Sequence, residues 1–335
     1  MEGWPKISVI IPVYNEEKFI KATIEYLLNQ DYPVDKMEIL VADGGSEDKT
    51  AEIVRALADR DPRVRLLDNP KNLSSAGRNV GVKNASGEII TFVDGHTYID
   101  NDQLLKNTAL LMAEKEVSVL SRPQFLDTPD NDIFQEAVSL ARKSTIGHGL
   151  DSTIYTTEDK YVNPASSGAS YRREVFDKIG YYDENMDAAE DVEFNYRAAV
   201  NGYKSFTSMR LAVYYYPRNS YDGLLRQMIR YGIGRFRLAK KHPGSLSLGT
   251  LVPVGITFGI PLLAILALLF PPVSGPFWGV TGLYLLGILF WSIFISAEKG
   301  VKYFRYLPFI YLCIHGGLGY GFVRELIRNL SGSRH

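Results

Sequence analysis

The carboxylates of this chain fall where they could do acid–base and metal chemistry. Thr91-Phe92-Val93-Asp94-Gly95-His96 ends an apolar run with two potential ligands one residue apart. Such a pair can hold one divalent cation between itself and a diphosphate, because Mg2+ or Mn2+ is typically bound by one or two carboxylates plus substrate phosphates. The imidazole of His96 leans the choice toward Mn2+, although Asp-x-His is a common pattern. Further on, Asp187-Ala188-Ala189-Glu190-Asp191 opens a helix expected over residues 192–200. Asp187 with Glu190 three positions later also reads as a capping box, and acids in a first turn suit the helix dipole. Asp191 is not needed for that cap and is free to act as a general base.

Three further runs could hold a ligand. Pro12-Val13-Tyr14-Asn15-Glu16 and Asp43-Gly44-Gly45-Ser46-Glu47-Asp48 each follow an apolar strand-like stretch. Polar and glycine-rich turns at the carboxyl ends of parallel strands are where open α/β sheets bind ligands. An acidic residue there can accept from a base or ribose, and Asp43-Gly44-Gly45-Ser46 is equally a good turn followed by a helix cap. Ser74-Ser75-Ala76-Gly77-Arg78-Asn79 opens another helix, whose N-terminus beside Arg78 suits a phosphate. Arg78 as an ordinary surface residue is the alternative.

Positioning these runs needs an alternation of strands and helices. Apolar stretches at 7–11, 38–42, 64–67, 89–93 and 117–120 read as strands, and residues 17–29, 49–58, 76–84 and 103–113 have helical spacing. That order predicts an α/β domain over residues 1–220 with a mostly parallel sheet covered on both faces.

Composition then changes. Net charge is −1, which points to no nucleic-acid partner. Yet between Lys241 and Glu298 there is no Asp, Glu, Lys or Arg. Residues 246–270 and 277–297 are long enough to cross a bilayer, which takes about 20 residues. Pro271-Pro272 and Ser274-Gly275-Pro276 make the turn of a hairpin between them. Residues 306–323 form a third apolar segment, expected here to span as well, and Gly317 with Gly321 lets it pack closely on a neighbour. Buried core helices are the competing explanation for these segments. Ahead of them, residues 221–245 carry Arg226, Arg230, Arg235, Arg237, Lys240 and Lys241 among Leu225, Ile229, Ile233 and Phe236. An apolar stripe beside a basic face predicts a helix lying in the membrane interface; a basic helix packed on the soluble domain is the alternative. Lys299, Lys302 and Arg305 follow the second segment, so the basic clusters on both flanks of the hairpin predict a cytoplasmic side for both. The N-terminus has neither the basic nor the apolar region of a signal peptide. The expectation is a multi-pass protein of the cell membrane with its catalytic domain in the cytosol. The single cysteine, Cys313, allows no internal disulfide and no cysteine-rich metal site.

Taken in order, these runs resemble glycosyltransferase family 2, which has the GT-A nucleotide-diphosphosugar transferase fold. The resemblance covers residues 5 to about 241 and rests on Pro12–Glu16, on Asp43-Gly44-Gly45-Ser46-x-Asp48, on Arg78-Asn79, on Asp94-x-His96 and on Glu190-Asp191. Residues 168–173 are similar to the family's acceptor-side strand with its Arg-Arg. The resemblance implies that Asp43 binds the nucleobase, within a nucleotide site of Pro12, Tyr14, Glu16, Asp43, Arg78 and Asp94. It implies that Asp94 and His96 hold metal and diphosphate, and that Asp191, with Glu190 beside it, is the base of an inverting transfer from a UDP-sugar. The family usually has a second carboxylate where this chain has His96, which bears on metal identity and affinity. Gln227-x-x-Arg230-Tyr231 is similar to the Gln-x-x-Arg-Trp of processive polysaccharide synthases, with Tyr for Trp; it is expected to serve the acceptor or diphosphate. Those synthases carry more membrane helices, so processivity does not follow. The run Gly147-His148-Gly149, this motif and the apolar tail look most like enzymes that extend lipid-linked exopolysaccharide units, which implies a membrane-held, lipid-linked acceptor.

Two other functions compete. A synthase moving a sugar onto a polyprenyl phosphate would meet an acceptor that is already ionised and needs no base, so Glu190-Asp191 favours a hydroxyl acceptor. A non-catalytic nucleotide-binding scaffold or channel subunit would not need candidates for metal ligand, base and leaving-group stabiliser together.

Overall fold

The computed structural model describes residues 3–148, 153–186 and 188–332; Gly149 and Asp187, singled out above, lie outside the described residues. The chain divides into two compact units, residues 3–128 with 153–216 and residues 129–148 with 217–332. The described strands, in chain order, are β1 (Ile7–Val13), β2 (Met37–Asp43), β3 (Val64–Asp68), β4 (Ile89–Phe92), β5 (Thr97–Tyr98), β6 (Val119–Ser121), β7 (Gln124–Phe125), β8 (Lys160–Val162), β9 (Gly168–Arg172), β10 (Ser205–Thr207) and β11 (Val213–Tyr215). The helices are α1 (Ile20–Leu28), α2 (Thr50–Ala58), α3 (Ser74–Asn84), α4 (Leu104–Glu114), α5 (Ile133–Lys143), α6 (Arg173–Ile179), α7 (Glu190–Val200), α8 (Tyr221–Lys241), α9 (Leu248–Val254), α10 (Ile260–Leu269), α11 (Ser274–Lys299) and α12 (Leu307–Leu330).

All strands belong to the first unit. Its main sheet has the order β3-β2-β1-β4-β9-β6-β10-β8, and a small sheet has the order β5-β11-β7. β1 runs parallel to β2 and β4, and β2 parallel to β3, so these four strands end on the same edge. β9 is antiparallel to both of its neighbours, β4 and β6. The period of two along β1 sorts its side chains between two cores. Ile7, Val9 and Ile11 join Ile24, Leu27, Leu104 and Met112 on one face, while Ile10 joins Leu40, Val82, Phe92, Tyr171 and Phe194 on the other. Helix α3 lies close because Gly81 offers no side chain; a methyl group there would overlap Ile10. The five expected strands appear as β1, β2, β3, β4 and β6. The expected helix over 17–29 begins only at Ile20, after a turn in which the Phe19 and Ile20 N–H groups donate to the Glu16 carbonyl.

The second unit is helical and begins earlier than the sequence suggested. Residues 129–148 belong to it, and the sheet-bearing unit ends at Tyr216. Asp132 and Gln135 form a capping box that starts α5. Its apolar face, Phe134, Ala137, Val138 and Ala141, is buried with Leu224, Met228, Leu307, Ile310, Tyr311 and Ile314. Nothing local in the sequence marks that long-range match.

Helix α8 follows the same logic. Of the expected stripe Leu225, Ile229, Ile233 and Phe236, only Phe236 is buried; the rest of the buried ridge is displaced by one position to Leu224, Met228 and Gly232, continues to Ala239, and leaves Leu225 exposed. That ridge packs along α12. A methyl group at Gly317 would meet Met228, and one at Gly321 would overlap the Ile229 carbonyl. Arg237 donates to Glu325 at 2.8 Å, and Lys240 pairs with Asn329. Contacts that advance together along both chains make the two helices parallel. The glycine pair thus packs on α8, as small-xxx-small spacing allows.

Two helices among the described residues are long and apolar enough to cross a membrane. They are Leu248–Leu269, which joins α9 and α10 through a π-turn after Pro253, and Pro271–Lys299, which contains α11. Only 6% and 22% of their apolar windows are buried, whereas core helices of a soluble protein would be mostly covered. The expected third span is not among them. The segment over 306–323 lies in α12, whose Leu307, Ile310, Tyr311 and Ile314 are buried, and whose last turns carry Arg324, Glu325 and Arg328.

Candidate active site

The site is built where β1, β2 and β4 end. Their loops are laced to one another. Asn15, left-handed at φ 57°, donates its N–H to the Ser46 hydroxyl oxygen at 2.9 Å, and its side-chain carbonyl accepts from Glu47 N at 2.8 Å. Asp48 accepts from Glu17 N and from Thr50 N and Oγ. Asp43 closes its turn by accepting from Gly45 N, Ser46 N and the Ser46 hydroxyl. Its structural role is therefore real, and a carboxylate has lone pairs to spare for a further donor. Tyr14 is exposed beside it, Pro12 half-buried.

Asp94 follows β4 and meets Arg78 from α3, with Arg78 Nη2 3.3 Å from Asp94 Oδ1. The same guanidinium reaches α7, its Nε 3.7 Å from Glu190 Oε1. It lies over the rings of Phe92 and Tyr182 at 5.1 and 5.7 Å. Arg78 is buried, so the surface reading is excluded. It joins Asp94 to Glu190, and its Nε makes no hydrogen bond among the described residues. Asn79 ties the same helix to the chain before α7, exchanging hydrogen bonds with the Tyr182 backbone and donating to Glu184.

Helix α7 begins at Ala189, itself left-handed at φ 59°, with no side-chain cap. Glu190 is thus the first helical residue, and with Asp191 and Glu193 it makes the acidic first turn that suits the helix dipole; the capping-box reading rests on Asp187, outside the described residues. Asn195 anchors the helix to β9 by accepting from the Tyr171 hydroxyl at 2.6 Å and donating to the Gly168 carbonyl. Asp191 is open to solvent yet set deep among protein atoms. Burial pushes its carboxyl above the usual range and the Glu190 charge adds to this, while Arg78 and the Val192 N–H pull it back. Asp94 moves the opposite way. Burial would raise it, but the charge of Arg78, the neighbouring His96, a hydrogen bond from Tyr215 and the charge of Arg122 hold it below the ordinary range.

His96 turns its Nδ1 to Glu16 Oε1 at 2.8 Å, and its ring lies edge-on to Phe19 and Tyr215. Sequence reasoning missed this pairing, and it missed Arg122 and Tyr215. Arg122 is 2% exposed and donates to the Phe92 carbonyl, Thr91 Oγ1 and Ser170 Oγ, fixing β4 just before Asp94. A charge ending the apolar run 117–120 was its only sequence signal. Arg172 and Arg173, likened above to an acceptor-side pair, donate to backbone carbonyls, Arg172 to that of Met112 and Arg173 to those of Ala85 and Gly87. Gln227, Arg230 and Tyr231 stand on α8 in the helical unit, where the Arg142 guanidinium lies 5.6 Å over the Tyr231 ring. Among the described residues no three His, Cys, Asp or Glu side chains gather as a closed metal site.

A mixed sheet with laced loops after β1 and β2, an Asp-x-His after β4 and an acid pair opening a helix defines a GT-A fold of the nucleotide-diphosphosugar transferase class. Residues 8–180 match the model of glycosyl transferase family 2, and the chain belongs to that family. It is 30% identical over 327 residues to the succinoglycan biosynthesis protein ExoA of Rhizobium meliloti, covering 95% of this chain and 94% of that one. It is 27% identical over 328 residues to a Methanococcus voltae protein, covering 97% of this chain and 98% of that one. That relative is the dolichyl N-acetyl-alpha-D-glucosaminyl phosphate 3-beta-D-2,3-diacetamido-2,3-dideoxy-beta-D-glucuronosyltransferase. Among solved structures, the mannosyltransferase PcManGT of Pyrobaculum calidifontis, in complex with GDP-Man and Mn2+, aligns with a TM-score of 0.62. It is 19% identical, with 99% of this chain and 89% of that one covered, and its likeness is one of fold.

Proposed function

We propose that this chain is an inverting, divalent-cation-dependent transferase that moves a sugar from a nucleoside diphosphate donor, a UDP-sugar in our reading, to a hydroxyl of a membrane-held, lipid-linked acceptor. The observation that carries this reading is the bridge through Arg78, which sets Asp94 and the Glu190-Asp191 pair into one site. The donor set fits a divalent cation: one carboxylate, and one imidazole whose Nδ1 is already engaged. Two protein ligands leave the remaining positions to diphosphate oxygens and water. A bound cation would neutralise charge on the departing diphosphate.

The residues themselves supply the rest. Asp43 and the loop after β1 hold the nucleoside. Asp191, kept basic by burial beside Glu190, takes the proton of the acceptor hydroxyl as that oxygen forms its bond to the anomeric carbon from the face opposite the diphosphate. The diphosphate leaves with the electron pair of the broken bond, and the fixed positive charge of Arg78 favours that charge build-up. A raised carboxyl suits a hydroxyl acceptor and would serve no purpose toward an ionised phosphate. On α8, Gln227, Arg230 and Tyr231 are assigned to the acceptor or its diphosphate. The apolar hairpin anchors the chain, with the basic clusters on both flanks and the catalytic unit on the cytoplasmic side.

The test is turnover of a panel of nucleotide sugars by the purified full chain, with and without EDTA. Release of one nucleoside diphosphate, lost in EDTA, restored by Mn2+ and absent in Asp94→Ala, is the expected result. Full turnover in excess EDTA would refute the cation, and inertness toward every donor would favour a scaffold.

A further inference from the structure

We infer that Glu16 is a positioning residue: it fixes the tautomer and aim of His96, and through them the affinity and preference of the site for a transition-metal cation. This rests on the reading above that Asp94 and His96 hold the cation.

The argument starts from the pairing itself. Glu16 Oε1 lies 2.8 Å from His96 Nδ1. An ionised carboxylate only accepts, so Nδ1 must carry the proton, and the imidazole lone pair is placed on Nε2. A ligating histidine is commonly oriented in this way by a carboxylate on its other nitrogen, which also makes the ring a better donor.

The surroundings hold Glu16 still. Its N–H donates to Thr50 Oγ1 at 2.7 Å, and its carbonyl accepts from Phe19 N and Ile20 N. Gly95, between the two proposed ligands, brings the strand end up against it. A Cβ at that position would stand 3.0 Å from Glu16 Cγ and 2.9 Å from Val13 Cγ1. The Glu16 and His96 side chains are 19% and 36% exposed, so neither is a freely moving surface group. Phe19 and Tyr215 bracket the ring edge-on at 6.5 and 5.8 Å. Glu16 therefore spends its carboxylate on the histidine and not on the cation. The second carboxylate usual in the family reappears one bond further out, behind an imidazole. Nitrogen ligands suit Mn2+ more than Mg2+, so the cost of losing Glu16 should be greater for Mn2+.

The experiment titrates Mn2+ alone into the full chain in detergent, reading free Mn2+ by electron paramagnetic resonance, with Mg2+ as competitor. Wild type, Asp94→Ala, Glu16→Ala and Glu16→Gln are compared, each with its thermal unfolding profile. We expect Asp94→Ala to remove the site and Glu16→Ala to weaken Mn2+ by about 10–100-fold with a smaller effect on Mg2+. Glu16→Gln, whose amide oxygen still accepts from Nδ1, should recover most of the affinity. Three results overturn the inference. Loss in Asp94→Ala with Glu16→Ala unchanged defeats the role of Glu16 and leaves the metal reading standing. A Glu16→Gln as weak as Glu16→Ala makes Glu16 itself a ligand. Mn2+ binding unaffected by Asp94→Ala defeats the metal reading, and this inference with it.

Discussion

The two ends of the parallel sheet each hold a carboxylate whose titration the fold shifts, and they shift it in opposite directions. At the amino end, Glu38 of β2 accepts from the Ser8 hydroxyl at 2.6 Å and from the Ser86 N–H and hydroxyl at 2.6 and 2.8 Å. Burial alone would raise its carboxyl, but these hydrogen bonds and the charge of Lys6 outweigh it, and the net shift is downward. At the carboxyl end, Asp191 is shifted upward by burial and by Glu190. A lowered carboxyl means that ionisation favours the folded state, and a raised one means that ionisation opposes it. The amino end is satisfied. The carboxyl end holds charge that the fold would be easier without, which is the expected mark of a site kept for chemistry.

The largest effect that could break this contrast is at Asp191. Asp191→Asn removes the proposed base and should lower transfer by about 10²–10⁴-fold with donor binding retained. Its effect on stability has the opposite sign. Because the folded-state carboxyl is raised, ionisation above the unfolded-state value near pH 4 costs stability, and the variant should unfold at the same temperature as wild type or higher. In wild type the acid limb of kcat/KM should lie above about pH 4 for the same reason. An Asp191→Asn enzyme with full turnover, or one that unfolds early, would make Asp191 an ordinary helix-end acid.

Glu38→Ala is the mirror experiment. It strips buried donors of their acceptor and should cost about 1.5–3 kcal/mol, read from thermal unfolding. Turnover per folded molecule should not change. Its pH dependence follows from the lowered carboxyl. The stability that Glu38 contributes is present above its unfolded-state value and is lost as pH falls through the folded-state one, below about pH 4. The variant should lack that share of the acid limb. Loss of activity in a folded Glu38→Ala would show that the two ends are not independent.

How much of this could be read from the sequence follows from how local each feature is. The loops after β1, β2 and β4 were legible because strand ends and turn residues sit within a few positions of each other. The membrane-length helices were legible for the same reason. Arg78, by contrast, reads as a basic residue in a helix start. Only the fold brings it to Asp94, 16 residues on, and to Glu190, on a different helix. The Glu16–His96 pair is separated by 80 residues. The ridge of α8, apart from Phe236, was misplaced by one position because α12, not the periodicity of α8 alone, selects which face is covered. α12 itself read as a span because its charges lie only in the last turns.

The smallest test concerns backbone strain. Four described non-glycine residues are left-handed: Asn15, Asn72, Glu116 and Ala189. Asn15 and Asn72 follow β1 and β3, and Ala189 immediately precedes Glu190. Glu116 stands apart, two residues beyond the end of α4, where a left-handed residue is an ordinary way to finish a helix. The Asn residues tolerate this conformation, whereas a left-handed alanine costs about 1–2 kcal/mol. Ala189→Gly removes that cost and adds about 0.5–1 kcal/mol of unfolded-state entropy to be lost on folding. The net is a gain of about 0–1.5 kcal/mol, at most a rise of a few degrees in thermal unfolding. If the strained turn serves to aim Asp191, the same variant should lose turnover while gaining stability, since a glycine lets the start of α7 relax. A variant that gains stability and keeps full kcat would place the strain outside the mechanism. It would leave the contrast between the two ends resting on the direction in which each shifts its carboxylate.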